Sequence, residues 1–235
     1  MNSTPWHPVV VPPDGHRPGG WLVWAHGGSW HTGSTAAWSP ALADYAAEAR
    51  TALVGVDYRL APAHPYPAPL HDVLAAYDWT RAQADGAPVS LGGDSAGATL
   101  AATAALALRD RGDEQPAAQI LAYPPLDPAC TAPSYHRDPA AFPQPATLSA
   151  AWRAYGGETP LHAADLTGLA PAVLAVGALD PVADDVTAYA RRLTAAHVPT
   201  RLLTVPHTRH GAFLTAPAFR RHLAAAHAEL LRSTR

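Results

Sequence analysis

The hexapeptide Gly-Gly-Asp-Ser-Ala-Gly at residues 92–97 constrains the backbone more than any other part of the chain. It follows a short apolar stretch, residues 88–91, and leads into residues 96–111, which are rich in alanine and leucine and favour a helix. The glycines two positions before and after Ser95 predict a sharp strand-to-helix turn, because a Cβ atom at either position would collide with neighbouring backbone. A serine presented on such a turn is a candidate nucleophile. An ordinary glycine-rich turn is the alternative interpretation of this segment taken alone.

Apolar runs of strand length alternate with helix-length stretches along the rest of the chain. The predicted strands are residues 21–25, 52–56, 88–91, 118–123, 172–176 and 201–205, and the predicted helices are residues 36–50, 69–84, 96–111, 183–196 and 217–232. This alternation is typical of an α/β protein with a mainly parallel sheet covered by helices on both faces. The length of 235 residues suits one such unit, so we expect residues 1–235 to form a single domain.

A proline-rich segment, residues 124–167, interrupts the alternation and contains one plausible helix, residues 146–155. Long insertions in compact domains commonly serve as lids or substrate pockets, so we expect a cap or lid here. A passive surface excursion is the alternative.

The composition excludes several classes of partner. A formal net charge of -3 with 15% charged residues gives neither the basic excess of a nucleic-acid-binding protein nor the charge density of a disordered chain. We therefore expect small molecules or a second copy of the chain as partners. No apolar run is long enough to span a bilayer, and the first residues lack a basic flank followed by an apolar core, so we expect a soluble cytoplasmic protein. The single cysteine, Cys130, excludes an intramolecular disulfide.

The 13 histidines are scattered without the spacing of metal ligands, so we expect neither a metal nor another cofactor. His207 and His210 form the one close pair, and they lie in a predicted loop.

A catalytic serine needs a base to accept its proton and an acid to orient that base. On a turn of this kind the chain order is serine, acid, histidine. Asp180 follows the predicted strand at residues 172–176 and therefore lies at the carboxyl edge of the sheet, where ligands bind in such folds. Asp184 and Asp185 are the alternatives, although they are predicted to begin the next helix, whose dipole favours carboxylates.

His210 is the candidate base. It follows the last predicted strand, residues 201–205, and precedes a Gly-Ala-Phe sequence, so its ring can reach the same edge of the sheet from a loop. His207 is the alternative within that loop.

The sequence His-Gly-Gly-Ser-Trp at residues 26–30 directly follows the first core strand. Backbone amides in a glycine-rich turn are a usual source of hydrogen bonds to a tetrahedral oxyanion. We therefore expect an oxyanion hole formed by Gly27, Gly28 and Ser29 together with Ala96 behind the nucleophile, in which the amides of Gly28, Ser29 and Ala96 are the three donors. An ordinary tight turn is the alternative for the loop alone.

Together these motifs resemble those of the hormone-sensitive-lipase-like family of α/β-hydrolases, a group of carboxylesterases and small lipases. The likeness extends over residues 21–213 and is carried by His-Gly-Gly-Ser-Trp at 26–30, Asp-Tyr-Arg-Leu-Ala-Pro-Ala-His-Pro-Tyr-Pro at 57–67, Gly-Asp-Ser-Ala-Gly at 93–97, Asp-Pro-Val at 180–182 and His-Gly-Ala-Phe at 210–213. The Asp-Tyr-Arg-Leu-Ala-Pro string and the aspartate before the serine are the most family-specific parts. The resemblance implies an α/β-hydrolase fold, a Ser95–Asp180–His210 triad and an oxyanion hole from the loop at residues 26–29.

The chain departs from the family pattern at two positions within these motifs. Ser29 occupies the place of the third glycine of the oxyanion motif, and its side chain can contact substrate or constrain the loop. Ala98 replaces the glycine that often follows the nucleophile turn, a change that favours a helix.

The family also carries several tens of residues before the first core strand, which form a helical cap and a pair of antiparallel strands. Here about twenty residues precede Trp21, and of these residues 9–11 can form one short edge strand. We therefore expect the N-terminal cap to be absent, the acyl pocket to be covered mainly by residues 124–167 or partly by a second subunit, and Ser95 to be more exposed than the nucleophiles of the relatives.

The residues and the resemblance together predict a serine hydrolase that cleaves carboxylic esters of short-to-medium acyl chains through an acyl-enzyme. An arylformamidase-like amidohydrolase and a pathway-specific thioesterase or deacetylase are the alternatives among enzymes, because they use the same parts. A catalytically silent module that binds small molecules is the alternative of another class; such a protein is expected to lose a member of the triad, and none is lost here. The family resemblance is compatible with a homodimer.

Overall fold

The computed structural model describes residues 9–11 and 18–233, and a seven-stranded sheet forms the centre of this part of the chain. The strands are β1 (Val9–Val11), β2 (Trp21–Ala25), β3 (Ala52–Val56), β4 (Val89–Asp94), β5 (Gln119–Ala122), β6 (Ala172–Gly177) and β7 (Thr200–Val205). Their order across the sheet is β1-β3-β2-β4-β5-β6-β7. β1 pairs antiparallel with β3 at one edge, as expected for residues 9–11, and the other six strands are parallel.

Helices flank the sheet, which confirms the predicted α/β class. They are α1 (Thr35–Ala49), α2 (Ala68–Gln83), α3 (Ala96–Asp110), α4 (Pro145–Tyr155), α5 (Ala183–Ala195), α6 (Ala212–Thr215) and α7 (Pro217–Ser233). α1 packs against α7, and α2 packs against α3. Over the described ranges, no helix combines the length and the hydropathy that a membrane crossing requires.

The central strands are buried on both faces, which explains their nearly continuous apolar sequences. Every residue of β3, β4, β5 and β6 is buried, whereas β7, at the open edge, is mostly half-buried or exposed. Three fully buried aromatic rings pack beside β2. The ring of Trp24 stacks on Phe213 at 4.4 Å between centroids and lies 5.5 Å from Tyr45. Burial of each such ring stabilises the fold by about 2–3 kcal/mol.

A buried polar cluster lies within this core, far from the sheet edge. The imidazole of His227 on α7 has its Nε2 3.0 Å from the Oγ of Ser90 on β4, and its Nδ1 3.2 Å from the hydroxyl of Tyr45 on α1. His227 is completely buried. This cluster ties the last helix to the middle of the sheet.

The segment between β5 and β6 holds α4 and two short 3₁₀ turns, Pro133–His136 and Pro160–His162. Its first part is fixed to the start of α5, because the buried carboxylate of Asp185 accepts hydrogen bonds from the amides of Leu126 and Asp127 and from the hydroxyl of Tyr135.

The parallel arrangement brings the carboxyl ends of β4, β6 and β7 to one edge of the sheet. Ser95 follows β4 directly, Asp180 lies three residues beyond β6, and His210 lies five residues beyond β7. Residues that are far apart in sequence therefore meet at this edge.

Candidate active site

Ser95 occupies a strained backbone conformation between β4 and α3. Its φ of 50° and ψ of -122° lie outside the regions that non-glycine residues favour, which costs about 1–3 kcal/mol. The flanking glycines permit it, as predicted. A Cβ atom on Gly93 would lie 2.4 Å from the carbonyl carbon of Gly97, and one on Gly97 would lie 2.0 Å from the carbonyl oxygen of Ala25. The turn holds Ser95 half-buried at the top of the sheet.

The structure brings Ser95, His210 and Asp180 into one hydrogen-bonded row. The Oγ of Ser95 lies 2.9 Å from the Nε2 of His210, and the Nδ1 of His210 lies 2.9 Å from the Oδ1 of Asp180 and 3.0 Å from its Oδ2. The side chains of His210 and Asp180 are 4% and 0% exposed. The amide of Val182 also donates to Asp180, which fixes the carboxylate toward the ring.

The alternative acids and the alternative histidine lie elsewhere. Asp184 accepts a hydrogen bond from the amide of Ser134 and pairs with Arg137, and Asp185 anchors the segment before α4. His207 is exposed. None of these three contacts Ser95 or His210 in the hydrogen-bond network of the described residues.

The loop at residues 26–30 uses left-handed backbone at three consecutive positions. Gly28 has a φ of 118°, and a Cβ atom there would lie 2.0 Å from the carbonyl oxygen of Thr32. Ser29 follows at 53° and Trp30 at 63°. A glycine suits the position of Ser29 because such a φ is strained for other residues, so the serine keeps the loop shape at an energetic cost of about 1–2 kcal/mol.

Packing against the segment between β5 and β6 holds this strained loop in place. Trp30 is fully buried; its ring stacks on Tyr155 at 4.7 Å with an interplanar angle of 8°, and it lies 4.4 Å from Trp152. Tyr155 and Trp152 belong to α4, so the helix rests directly on the loop.

Three backbone amides of the predicted oxyanion hole have no hydrogen-bond partner among the described residues. In the described part of the chain, the amides of Gly28, Ser29 and Ala96 donate to no other protein group. The amide of Gly27 is different, because it donates to the Oδ1 of Asp94 at 3.1 Å. Gly27 therefore shapes the loop, and its amide, already bonded to Asp94, is not one of the three predicted donors.

Asp94 is a buried carboxylate, 3% exposed, directly before the serine. Besides the amide of Gly27, its Oδ1 accepts hydrogen bonds from the indole N–H of Trp38 at 2.8 Å and of Trp24 at 3.2 Å. Burial raises the pKa of Asp94 to about 6, and the hydrogen bonds from the two indoles and the amide oppose part of that rise.

The Asp-Tyr-Arg string supports the loop from the other side. The hydroxyl of Tyr58 donates to the carbonyl of His26 at 2.9 Å, and the two rings stack at 4.4 Å. Burial lowers the pKa of His26 and so favours its neutral form. Arg59 forms a forked ion pair with the buried carboxylate of Asp72 on α2. These contacts give the family-specific string a structural role.

Tyr123, at the end of β5, is a site residue that the sequence analysis missed. Its hydroxyl accepts a hydrogen bond from the amide of Phe213 at 2.9 Å and lies 3.5 Å from the Oδ2 of Asp94. Its ring packs edge-on against His210 at 4.7 Å. The available signal was its position, because it ends the strand next to the nucleophile strand at the edge where the site forms.

One exposed apolar side chain, Phe142, contacts a residue of the site. Within residues 18–233, the large apolar side chains that stay exposed are Phe142, Leu179 and Leu214. Phe142 is 66% exposed and places its ring 5.8 Å from that of His210. Leu179 precedes Asp180, and Leu214 lies four residues after His210. Phe142 therefore presents exposed apolar surface next to His210.

Known proteins with related sequences are esterases. The chain is 34% identical to a carboxylesterase (NlhH) of Mycobacterium tuberculosis over 208 residues, which cover 81% of this chain and 65% of that enzyme. It is 36% identical to an acetyl-hydrolase of Streptomyces hygroscopicus over 204 residues, which cover 80% of this chain and 67% of the relative. The chain thus spans about two thirds of the length of these relatives.

Solved structures give the same result. A bacterial heroin esterase superposes with a TM-score of 0.86 at 32% identity, over 96% of this chain and 78% of that one. An esterase of the bacterial hormone-sensitive lipase family superposes with a TM-score of 0.85 at 30% identity, over 99% and 85% of the two chains. A family profile described as alpha/beta hydrolase fold matches residues 22–214. By its fold, its motifs and these relatives, the chain belongs to the hormone-sensitive-lipase-like family of α/β-hydrolases.

Proposed function

We propose that the protein is a carboxylesterase-type serine hydrolase that cleaves carboxylic esters of short-to-medium acyl chains. One observation carries the proposal: the hydroxyl of Ser95 lies 2.9 Å from the Nε2 of His210, whose other nitrogen is held by the buried carboxylate of Asp180. Serine, imidazole and carboxylate in this geometry are the parts of an acyl-transfer mechanism.

In the first half of the reaction, Ser95 attacks the ester carbonyl carbon while His210 accepts the hydroxyl proton. The tetrahedral intermediate then collapses, and His210 gives that proton to the departing alcohol. In the second half, His210 accepts a proton from water as the water oxygen attacks the acyl carbon, and it then gives that proton to the Oγ of Ser95 as the carboxylic acid leaves. Asp180 accepts the hydrogen bond from Nδ1 of His210 and so holds the imidazole tautomer whose Nε2 faces the serine.

The amides of Gly28, Ser29 and Ala96 are the proposed donors to the oxyanion. Their support is that they make no hydrogen bond to another described residue, and that the loop carrying Gly28 and Ser29 is bonded through Gly27 to Asp94, the residue before Ser95. Fixed donors of this kind stabilise the charge that develops on the carbonyl oxygen, and one donor contributes about 3–4 kcal/mol to the transition state.

Residues 124–167 are the proposed cover of the acyl pocket, as an insertion within a single hydrolase domain. Two contacts support this role. α4 stacks through Tyr155 on Trp30 of the loop at residues 26–30, which we call the oxyanion loop, and Phe142 lies beside His210. The preference for short acyl chains has support from the names of relatives, which include an acetyl-hydrolase and an ethyl acetate hydrolase of Pseudomonas putida.

A panel of p-nitrophenyl esters from acetyl to decanoyl tests the proposal, with N-formyl aromatic amides measured in parallel and Ser95→Ala as the control. We expect turnover of the esters, greatest at short-to-medium chain length, and a loss of at least about 10³-fold in Ser95→Ala. Equal turnover by the variant, or no turnover of any ester by the folded protein, would overturn the assignment. Faster turnover of the formamides would move it to the amidohydrolase class.

A further inference from the structure

Asp94 is a buried anion with no cation beside it. Within the described residues none of the ion pairs includes Asp94, although its side chain is nearly inaccessible to water. An unpaired buried carboxylate is unfavourable unless hydrogen bonds replace its hydration, so its position next to the nucleophile calls for an explanation in terms of the site.

A single oxygen of this carboxylate gathers donors from three separate parts of the structure. Its Oδ1 accepts the indole N–H groups of Trp24 at the end of β2 and of Trp38 on α1, and the amide of Gly27 in the oxyanion loop. An ionised carboxylate oxygen accepts several such bonds, and these are stronger than those to a neutral acceptor. The oxyanion loop is therefore attached directly to the residue that precedes Ser95.

The other oxygen, Oδ2, connects Asp94 to the loop that carries His210, which we call the histidine loop. The hydroxyl of Tyr123 accepts the amide hydrogen of Phe213, so its own hydrogen is left to point elsewhere, and the Oδ2 of Asp94 lies 3.5 Å away. Phe213 lies three residues after His210, and the Tyr123 ring also packs against the His210 ring. The backbone φ of Tyr123 is 41°, a strained value that the surrounding contacts maintain.

We propose that Asp94 is a positioning residue for ester hydrolysis. Its ionised carboxylate holds the oxyanion loop directly, and the histidine loop through Tyr123, in the positions that these loops need relative to Ser95. The inference rests on the proposed function. Asp94 touches neither substrate nor the reacting atoms, and it acts through the residues that do. Because the tetrahedral intermediate needs both loops at once, loss of this tie lowers kcat more than it changes KM.

Protonation of Asp94 gives the proposal a measurable pH signature. The titratable groups that face it are Tyr58 beside the oxyanion loop, Tyr123 directly after β5 and His210 on the loop after β7. Burial raises the pKa of both tyrosines, so the two phenols stay neutral over the pH range of the assay. Because burial raises the pKa of Asp94 to about 6, its carboxylate gains a proton as the pH falls through that value.

Protonation of Asp94 should therefore loosen both loops and lower activity as the pH falls through about 6. On the acid side, the logarithm of kcat/KM should fall more steeply in wild type than in a variant that lacks this carboxylate.

The test compares Asp94→Asn and Tyr123→Phe with two matched controls. Asp185→Asn removes another buried carboxylate, whose pKa is likewise raised to about 6 by burial but which lies on α5 among hydrogen bonds to the segment before α4. Tyr189→Phe removes a buried hydroxyl that has no hydrogen-bond partner among the described residues. For each protein, kcat and KM for p-nitrophenyl acetate are measured from pH 4.5 to 9, and the melting temperature is recorded.

We expect Asp94→Asn to lower kcat about 10- to 100-fold, with KM within about threefold and an acid limb that is shallower than that of wild type. Tyr123→Phe should lower kcat by a smaller factor, about 3- to 10-fold, because the Gly27 contact remains. Asp185→Asn and Tyr189→Phe should keep the steep acid limb and a kcat within about threefold of wild type, whatever their melting temperatures.

Wild-type kcat within twofold in Asp94→Asn, together with an unchanged acid limb, would overturn the proposal. If Asp94→Asn does not fold, Tyr123→Phe and Trp38→Phe decide: a lower kcat at constant KM supports the proposal, and wild-type kcat in both rejects it. Ser95→Ala separates this from the function itself. Equal hydrolysis by wild type and Ser95→Ala removes the proposed function, whereas a loss in Ser95→Ala with wild-type behaviour in Asp94→Asn removes only the role of Asp94.

Discussion

The protein has two serine–histidine pairs with nearly the same Oγ–Nε2 distance, and both serines belong to the region of strand β4. Ser90, within β4, has its Oγ 3.0 Å from the Nε2 of His227, and Ser95, just past the end of β4, has its Oγ 2.9 Å from the Nε2 of His210. The distances do not distinguish a catalytic pair from a structural one, so the difference must come from the surroundings.

The surroundings differ in the group that faces Nδ1 and in access to solvent. His210 faces the carboxylate of Asp180, whereas His227 faces the hydroxyl of Tyr45. A carboxylate stabilises the imidazolium that forms during proton transfer, and a phenol does not. His227 is also completely buried, and desolvation lowers its pKa to about 3, so it stays neutral and holds α7 against the sheet.

The largest expected effect separates the two histidines by activity. His210→Ala should lower kcat/KM for p-nitrophenyl acetate by about 10⁴-fold or more, because the base is lost, whereas His227→Gln should stay within about threefold per folded molecule. His207→Ala is the matched control in the same loop and should retain most of the activity. A large loss in His207→Ala with little loss in His210→Ala would mean that the base has been misassigned.

The groups at Nδ1 provide the second test. Asp180→Asn should lower kcat by about 10³- to 10⁴-fold, since the amide no longer stabilises the imidazolium or its tautomer. Tyr45→Phe should leave kcat within about threefold, because Tyr45 serves only the buried pair. Comparable losses in both variants would remove the distinction between the two pairs. Both are measured by steady-state kinetics with the melting temperature as a check on folding.

Stability should show the reverse order. His227→Ala leaves a cavity and two unpaired buried hydroxyl groups, so we expect its free energy of unfolding to fall by about 3 kcal/mol. His210 lies at the edge of the sheet, so the free energy of unfolding should fall less in His210→Ala. Urea denaturation followed by tryptophan fluorescence measures both values. A smaller loss in His227→Ala than in His210→Ala would contradict a structural role for the buried pair.

The smallest expected effect is the pH dependence of that stability. Because the pKa of His227 falls from 6.5 to about 3 on folding, the unfolded chain binds a proton between these values that the folded protein excludes. The contribution is fully present above about pH 6.5 and is lost as the pH falls toward 3, by at most about 1.4 kcal/mol per pH unit.

The measurement is the difference in the free energy of unfolding between wild type and His227→Gln at each pH. This difference is needed because Asp94 and Asp185, whose pKa values are raised to about 6, titrate with the opposite sign in the same range and cancel between the two proteins. A difference that does not change between pH 7 and pH 4.5 would mean that His227 is not held neutral by the fold.

The nucleophile turn was predictable because its determinants are local. The glycines around Ser95 exclude other residues through contacts within a few positions. Asp180 and His210 were found through their places after strands, since the carboxyl ends of parallel strands meet at one edge. The apolar alternation likewise predicted the strands to within one or two residues in most cases, whereas α6 escaped because four residues show no periodicity.

Contacts between distant positions were not predictable from pattern alone. The hydroxyl of Tyr123 accepts a hydrogen bond from the amide of Phe213, 90 residues further along the chain. The ring of His227 contacts the hydroxyl of Ser90, 137 residues away in sequence. No spacing rule connects such positions, so one histidine in a helix resembles any other until the fold is known. The hydrogen bond from the amide of Gly27 to Asp94 was missed for the same reason, since the two residues lie 67 positions apart.

The stack of Trp30 on Tyr155 has a consequence for altering substrate selectivity. The loop proposed to stabilise the transition state and the helix proposed to cover the acyl pocket share one aromatic cluster, so a change in one contacts the other directly. Substitutions at Trp152 or Tyr155 made to widen the pocket would therefore also shift the loop and reduce turnover. Directed evolution for new acyl chains should find better starting points at Phe142, whose exposed ring borders the site without supporting the loop.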